Sequence, residues 1–256
     1  MTASAMLAAL ADISVPQLLL IAAMGVLTSL IGGVAGYGTG ALMPLVLVPV
    51  VGAEPIVPIT AISALMTNTS RATAFRKAID WRRAVIVTVA ALPTCVLGAW
   101  GYTRLTSTGV LILIGSMLAL SVPLRRTLRA RGFHFDDTRL AVAAVLWGVL
   151  VGGTSGAGVI LLAMLMGAGL EGAAVIATDA VISVALGVVK IAVFGLAGVM
   201  TGQVIAVALL IGVVALPGAF LARTLVERLP IHIHTAMLDA VVVIGGLVMI
   251  AGALKR

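Results

Sequence analysis

The sequence contains a single cysteine, Cys95, and three histidines among 256 residues. One cysteine excludes an internal disulfide and any metal site built from several thiolates. The pair His232 and His234 supplies too few ligands for a metal centre, and we interpret it as a loop signal. We therefore expect the protein to use no metal and no cofactor.

The sequence also lacks the motifs of nucleotide-driven proteins and of enzymes. It has no Gly-Lys pair anywhere, which excludes the phosphate-binding loop of ATPases. It has no cluster of histidines, cysteines or acids of the kind that catalysis at a membrane surface requires. We expect no catalytic residues and no enzymatic activity.

Charged residues are scarce as well, at 10% of the chain, whereas hydrophobic residues make up 62%. A soluble domain of this length could not bury so much apolar surface. Long apolar runs recur along the chain, as in helices that cross a bilayer. The composition predicts an all-α polytopic membrane protein surrounded by lipid, with about eight to ten membrane segments.

The net charge of +7 comes from basic residues that are unevenly distributed. Ten of the sixteen lie in two short segments between apolar runs, as is typical of cytoplasmic loops. We therefore expect contacts with anionic lipid headgroups of a bacterial inner membrane rather than with nucleic acid. These residues are Arg71, Arg76, Lys77, Arg82 and Arg83, followed by Arg125, Arg126, Arg129, Arg131 and Arg139.

The pattern of the first half of the chain returns in the second half. The stretch GGVAGYGTG at 32–40 is echoed by GGTSGAG at 152–158. The echo predicts two homologous transmembrane repeats, 1–124 and 140–256, joined by a basic cytoplasmic linker at 125–139.

The orientation of the two repeats follows less directly from the sequence. The loop at 71–83 is strongly basic, while its counterpart at 195–202 carries no charge. If only the first of these loops is cytoplasmic, the repeats are inverted, as in many secondary transporters. Parallel repeats are the alternative.

The glycine-rich stretches allow two interpretations. They could let helices pack closely through small residues. They could also mark broken or re-entrant helices whose backbone N–H groups receive an anion, and the segments that follow, 40–52 and 157–169, are short for a full crossing. Recurrence at matching positions of two halves favours the anion site. The candidate residues are Gly36, Gly38, Gly40, Thr154, Ser155, Gly156 and Gly158.

A polar stripe follows each glycine-rich stretch at helical spacing. The first stripe is lined by hydroxyl groups and ends in an arginine, and the second begins with an acid and ends in a lysine. Hydroxyls, two cations and glycine N–H groups suit the oxygens of a small anion. The stripe residues are Thr60, Ser63, Thr67, Asn68 and Arg71, followed by Asp179, Ser183 and Lys190.

Ionisable residues inside a membrane segment are costly and are functional candidates by default. Asp179 and Lys190 share a helical face, which suggests that Asp179 opposes or pairs with Lys190 and carries a coupling proton. Arg71 fits a substrate contact or an ordinary cytoplasmic helix end equally well. Glu54 and Glu171 each precede a helical pattern, and we interpret them as helix caps.

The sequence resembles the TauE/SafE sulfite-exporter family over nearly its whole length. The resemblance lies in IGGVAGYGTGALMPLVLV at 31–48, TAISALMTNTSRATAFR at 60–76, IDWR at 79–82 and GVLVGGTSGAGVILLAML at 148–165. It implies a multi-pass transporter of small sulfur-containing anions, such as sulfite, thiosulfate or organosulfonates.

We therefore expect a secondary transporter that binds its substrate at the glycine-rich breaks between the two repeats and works by alternating access. Two other functions are compatible with the same parts. One is a channel for small anions, and the other is a membrane assembly factor without a transport role.

Overall fold

A computed structural model of the chain describes residues 8–35, 39–130, 134–226 and 232–254. Within these ranges the regular structure is helical, without a strand, which confirms the predicted all-α class. The helices are α1 (Val15–Ala35), α2 (Thr39–Val51), α3 (Ile56–Ala74), a 3-10 helix (Arg76–Ala78), α4 (Trp81–Tyr102), α5 (Ser107–Ala130), α6 (Asp137–Gly153), α7 (Gly158–Gly167), α8 (Ala173–Leu196), α9 (Gly202–Val226) and α10 (His232–Leu254).

Several of these helices are suited to a lipid environment. Among the described residues, five helices are long and apolar enough to cross a membrane, namely α1, α4, α5, α8 and α9. Their outward faces expose large apolar side chains such as Val89, Leu97 and Phe220. Apolar surface of this extent is unfavourable in water and normal against lipid. The prediction of a polytopic membrane protein is confirmed.

The basic segment between the halves is partly helical. Helix α5 continues to Ala130, and α6 begins at Asp137 after its cap, Asp136, whose Oδ1 accepts a hydrogen bond from the Arg139 N–H at 2.8 Å. Arginine is a good helix former, so the helix extends past the apolar run that starts it. The predicted linker at 125–139 therefore overlaps the end of α5 and the start of α6.

Helices α6 and α7 form a hairpin around the non-helical residues 154–157. Near the turn, the Trp147 indole N–H donates to the Ala157 carbonyl at 2.9 Å. At the opposite end, the Phe135 N–H donates to the Gly167 carbonyl at 2.9 Å. Helix α7 thus runs back along α6, and its 10 residues extend for about 15 Å, half the hydrocarbon thickness. This geometry supports the re-entrant interpretation of the segment.

The two halves of the chain are interlocked. Helix α9 packs on α1 as α4 packs on α6, and α3 packs on α9 as α8 packs on α4. In addition, α3 packs on α8, and α5 packs on α10. If each helix from α1 to α5 is exchanged for its counterpart from α6 to α10, the same packed pairs result. This symmetry supports the two-repeat interpretation.

The relative directions of matching helices bear on the orientation of the repeats. Arg71, late in α3, pairs with Asp179, early in α8, whereas Leu65, earlier in α3, lies against Gly187, later in α8. The two helices therefore run antiparallel, and the close contacts between α5 and α10 show the same reversal. Matching helices point in opposite directions only in inverted repeats, so these contacts support that arrangement over the parallel one.

The acids that precede α3 and α8 do not cap these helices. The cap residues are Pro55 and Gly172, and neither of them supplies a side-chain hydrogen bond to the start of its helix. Glu54 instead accepts a hydrogen bond from the Ser107 hydroxyl at 2.5 Å, which ties the turn before α3 to the start of α5. The capping interpretation of Glu54 and Glu171 is wrong, because each lies one residue before the cap position.

Asp80, in the IDWR segment, fixes the loop between α3 and α4. Its carboxylate accepts hydrogen bonds from the Arg83 N–H at 3.0 Å and from the Arg83 guanidinium at 2.7 Å, so it caps α4. Partial burial acts to raise the pKa of Asp80, but the hydrogen bonds and charge of Arg83 outweigh it and lower the pKa below its ordinary value. The Asp80 N–H donates to the Thr178 hydroxyl at 3.0 Å, which holds the start of α4 beside the start of α8.

Glycines allow a very close approach between α4 and α6. A methyl group at Gly98 would overlap the backbone of α6 at Val149, and Gly148 and Gly152 face α4 in the same way. Gly101, on the same helix as Gly98, faces open space. For these positions the packing interpretation of glycine holds.

We expect Gly98→Ala to lower the free energy of unfolding by about 1–3 kcal/mol, because the helices would have to separate. The melting temperature of the purified protein measures this. Gly101→Ala is the matched control and should leave stability unchanged or slightly raised, since alanine favours helix. Equal melting temperatures for the two variants would contradict the packing argument.

Candidate functional site

A cavity of about 120 Å³ lies where the two halves meet. Helices α1, α2 and α3 of the first half and α6, α7 and α8 of the second half line it. A space of this size holds several water molecules or one small anion.

Most of the predicted site residues lie around this one cavity. Gly36 and Gly38 are outside the described residues, and Ser63 does not line the cavity. The predicted site residues that line the cavity are Gly40, Thr60, Thr67, Asn68, Arg71, Thr154, Ser155, Gly156, Gly158, Asp179, Ser183 and Lys190.

Ser63 does not line the cavity because it lies beside the face of α3 that does. The cavity is lined by Thr60, Ala64 and Thr67, which are three and four residues apart. Ser63 lies on the neighbouring face, fully buried, and its hydroxyl donates to the Ile59 carbonyl at 3.1 Å. Its polar atom is satisfied within its own helix.

Arg71 is buried in the last turn of α3, with 9% of its surface exposed. Its Nη2 lies 3.1 Å from Oδ2 of Asp179 and also donates to Oδ1 of Asn68. Its Nη1 donates to the Gly32 carbonyl of α1 at 3.2 Å. Arg71 therefore joins the two halves inside the cavity and does not belong with the basic loop that follows it. The burial of Arg71 argues against an ordinary exposed helix end, and its contact with a substrate stays a prediction.

Lys190 is the second buried cation of the cavity. Its Nζ donates to the Val151 carbonyl at 2.7 Å and to the Thr154 carbonyl at 3.3 Å. The last carbonyls of α6 have no partner within their own helix, and a positive charge is favourable at that end. The expected pairing of Asp179 with Lys190 is wrong, because 11 residues along a helix separate them by about 16 Å.

The two cations make equivalent contacts. Arg71 binds the carbonyl of Gly32 in the last turn of α1, and Lys190 binds the carbonyl of Val151 in the last turn of α6. Gly32 and Val151 are 119 residues apart, as are Arg71 and Lys190. Each half thus places a cation at the carboxyl end of its own helix before the glycine-rich stretch.

The Asp179 carboxylate is only partly satisfied. Its Oδ2 pairs with Arg71, whereas its buried Oδ1 has no hydrogen-bond partner among the described residues. Among the described residues that line the cavity, Asp179 is the single acid. With Arg71 and Lys190 it leaves one net positive charge in the cavity.

The turn after α6 touches the start of α2. The Ser155 hydroxyl donates to the Gly40 carbonyl at 2.5 Å, and Gly156 adopts a positive φ of 90°. A β-carbon at Gly40 would lie 3.3 Å from the Gly156 nitrogen, so larger residues would force the two segments apart. The amino ends of α2 and α7, which bear partial positive charge, consequently face the same cavity.

Ser29, Gly32, Thr39 and Gly187 also line the cavity and were not among the predicted site residues. Gly32 and Thr39 belong to the glycine-rich stretch itself. Ser29 precedes Gly32 by three residues, so extending the stretch back by one helical turn would have found it. Gly187 has no comparable signal, because a glycine within an apolar segment is common.

The family model for the sulfite exporter TauE/SafE matches residues 21–249, a range that contains every residue lining the cavity. The chain belongs to the sulfite exporter TauE/SafE family. Comparisons with curated proteins and with solved structures give no match. Membership of the TauE/SafE family makes the chain a multi-pass membrane transport protein of a non-enzymatic family.

Proposed function

We propose that this protein is a secondary transporter of small sulfur-containing anions, such as sulfite, thiosulfate or organosulfonates, in the bacterial cytoplasmic membrane. The anion binds in the cavity between the halves. The observation that carries the proposal is the burial of Arg71 and Lys190, one from each half, in a single cavity.

The other lining groups support an anionic ligand. The Thr60 and Ser183 side chains supply hydroxyls, and the amino ends of α2 and α7 supply backbone N–H groups and partial positive charge. A cation site would instead require several carboxylates and carbonyls turned towards one point. The described lining holds one carboxylate, and Arg71 occupies it.

The interlocked halves support alternating access. We infer two inverted repeats, 1–124 and 140–256, that rock about the contact between Ser155 and Gly40 and open the cavity to one side at a time. The basic linker at 125–139 lies on the cytoplasmic side in this arrangement. The transporter then shows saturable exchange, whereas a channel would not.

The proposal is tested by ligand-induced stabilisation of the purified protein. Thermal unfolding is followed with sulfite, thiosulfate, sulfate, taurine and chloride, because a ligand that binds only the folded state raises the midpoint. A rise that is selective for sulfur-containing anions supports the proposal. Equal or absent shifts with all five ligands would overturn the assigned substrate class and leave the family membership unaffected.

Lys190→Ala should abolish the selective rise, because it removes a cation that has no replacement at the end of α6. Lys77→Ala is the matched control: it removes an exposed lysine of the 3-10 helix and should keep the full rise. Affinity measured by titration calorimetry should fall at least tenfold for Lys190→Ala, in keeping with the loss of a charge-assisted hydrogen bond. If both variants bind like the wild type, Lys190 does not contact the anion.

A further inference from the structure

We infer that Asp179 competes with the transported anion for Arg71 and takes up a proton when the anion carries two negative charges. The inference rests on the proposed anion transport and adds the coupling ion and the charge selectivity of the same cavity. Its basis is the position of Asp179 opposite Arg71 in a cavity with one net positive charge.

Charge balance sets the number of protons. With Asp179 ionised, the net positive charge left by Arg71 and Lys190 neutralises one monoanion. A dianion would leave excess negative charge in a buried space, where an uncompensated charge is costly. Protonation of Asp179 removes that excess, so one proton accompanies each dianion and none accompanies a monoanion.

The contacts of the two cations show why Asp179 is the group that responds. Lys190 is held by two uncharged carbonyls, which an anion does not need to displace. Arg71 is held by a carboxylate, and an anion that approaches Nη2 repels it. The unpartnered Oδ1 of Asp179 leaves a site for the proton without breaking another hydrogen bond.

The elements packed against α8 bring no second charged group into hydrogen-bonding distance of Asp179 among the described residues. Helix α7 is apolar throughout, and Lys190 lies three turns away on α8 itself. Asp80 and Arg83 at the start of α4 pair with each other. Cys95 and Tyr102 of α4 lie beside the later part of α8, where the Tyr102 ring contacts Phe194. Arg76 and Lys77 of the 3-10 helix are exposed.

The test compares a dianion, thiosulfate, with a monoanion, methanesulfonate, by calorimetric titration of the purified full-length protein at about pH 6 and about pH 8. We expect wild-type affinity for thiosulfate to rise up to about tenfold for each pH unit of acidification, since one proton is bound. Affinity for methanesulfonate should stay constant within about twofold. Titrations in two buffers of different ionisation enthalpy should give uptake of one proton with thiosulfate and none with methanesulfonate.

Asp179→Asn should bind thiosulfate with no pH dependence, because the neutral amide keeps a hydrogen bond to Arg71 and no longer titrates. The matched control Asp136→Asn replaces an exposed acid by a residue that still caps α6, and it should keep the wild-type pH dependence. Wild-type thiosulfate binding without proton uptake, or an unchanged slope in Asp179→Asn, would overturn the inference while anion binding stands. Failure of both anions to bind the wild type at either pH would overturn the proposed function and the inference with it.

Discussion

Arg71→Ala should destabilise the protein by about 3–5 kcal/mol and abolish anion binding. The loss of stability follows because the Asp179 carboxylate, with 2% of its side chain exposed, is left as an uncompensated buried charge. The loss of binding follows because no other cation of the described cavity lining reaches this end of the site. Thermal unfolding with and without thiosulfate measures both effects.

A second substitution separates the two effects. In Arg71→Ala/Asp179→Asn the buried charge is gone, so most of the stability should return while anion binding stays lost. Arg82→Ala is the surface control: Arg82 pairs with Asp137 at an exposed position, and its loss should cost less than about 1 kcal/mol. A double variant that binds thiosulfate as the wild type does would remove Arg71 from the site.

Gly156→Val should reduce transport by at least tenfold. The positive φ of Gly156 strains a β-branched residue by about 1–3 kcal/mol, and the added side chain would meet Leu118, whose Cδ2 lies 2.7 Å from the β-carbon position. The turn at 154–157 must then shift away from Leu118 of α5, which disturbs the contact between Ser155 and Gly40. Counterflow of labelled thiosulfate in proteoliposomes measures the effect.

The control for this variant is Gly195→Ala, near the end of α8, where a β-carbon meets open space and the helix is regular. It should transport at the wild-type rate and melt at the same temperature or slightly higher. Wild-type counterflow by Gly156→Val would mean that the turn tolerates displacement and that its contact with α2 is not the pivot of the transport cycle.

The helices were predictable because each depends on neighbours in the chain. Apolar runs of about 20 residues specify a membrane helix without reference to the rest of the protein. The interruption before α7 was predictable from glycines, since a turn between two helices depends on local backbone freedom. The cap positions were not predictable from these patterns. The caps are Pro55 and Gly172, each one residue after the acid that the pattern indicated.

The partners of the charged residues were beyond the reach of sequence patterns. Helical periodicity correctly placed Asp179 and Lys190 on one face of α8, but it says nothing about which helix that face meets. The crossing of α3 over α8 gives Asp179 its partner, Arg71, from 108 residues away. Ser63 shows the same limit: helical periodicity placed it near the cavity-lining face of α3, but it could not show that the cavity ends short of this residue.

The interlocked helices also bear on how the protein is made. Helix α1 is synthesised long before its packing partner α9, because most of the described helices lie between them in the chain. At ordinary rates of translation this interval lasts on the order of ten seconds or more. During this time α1 lies in the bilayer with Ser29 lacking its acceptor, the Ala215 carbonyl. Assembly is thus a late event, and a ribosome that stops within the second half leaves an orphan first half with exposed polar surface for membrane quality control to recognise.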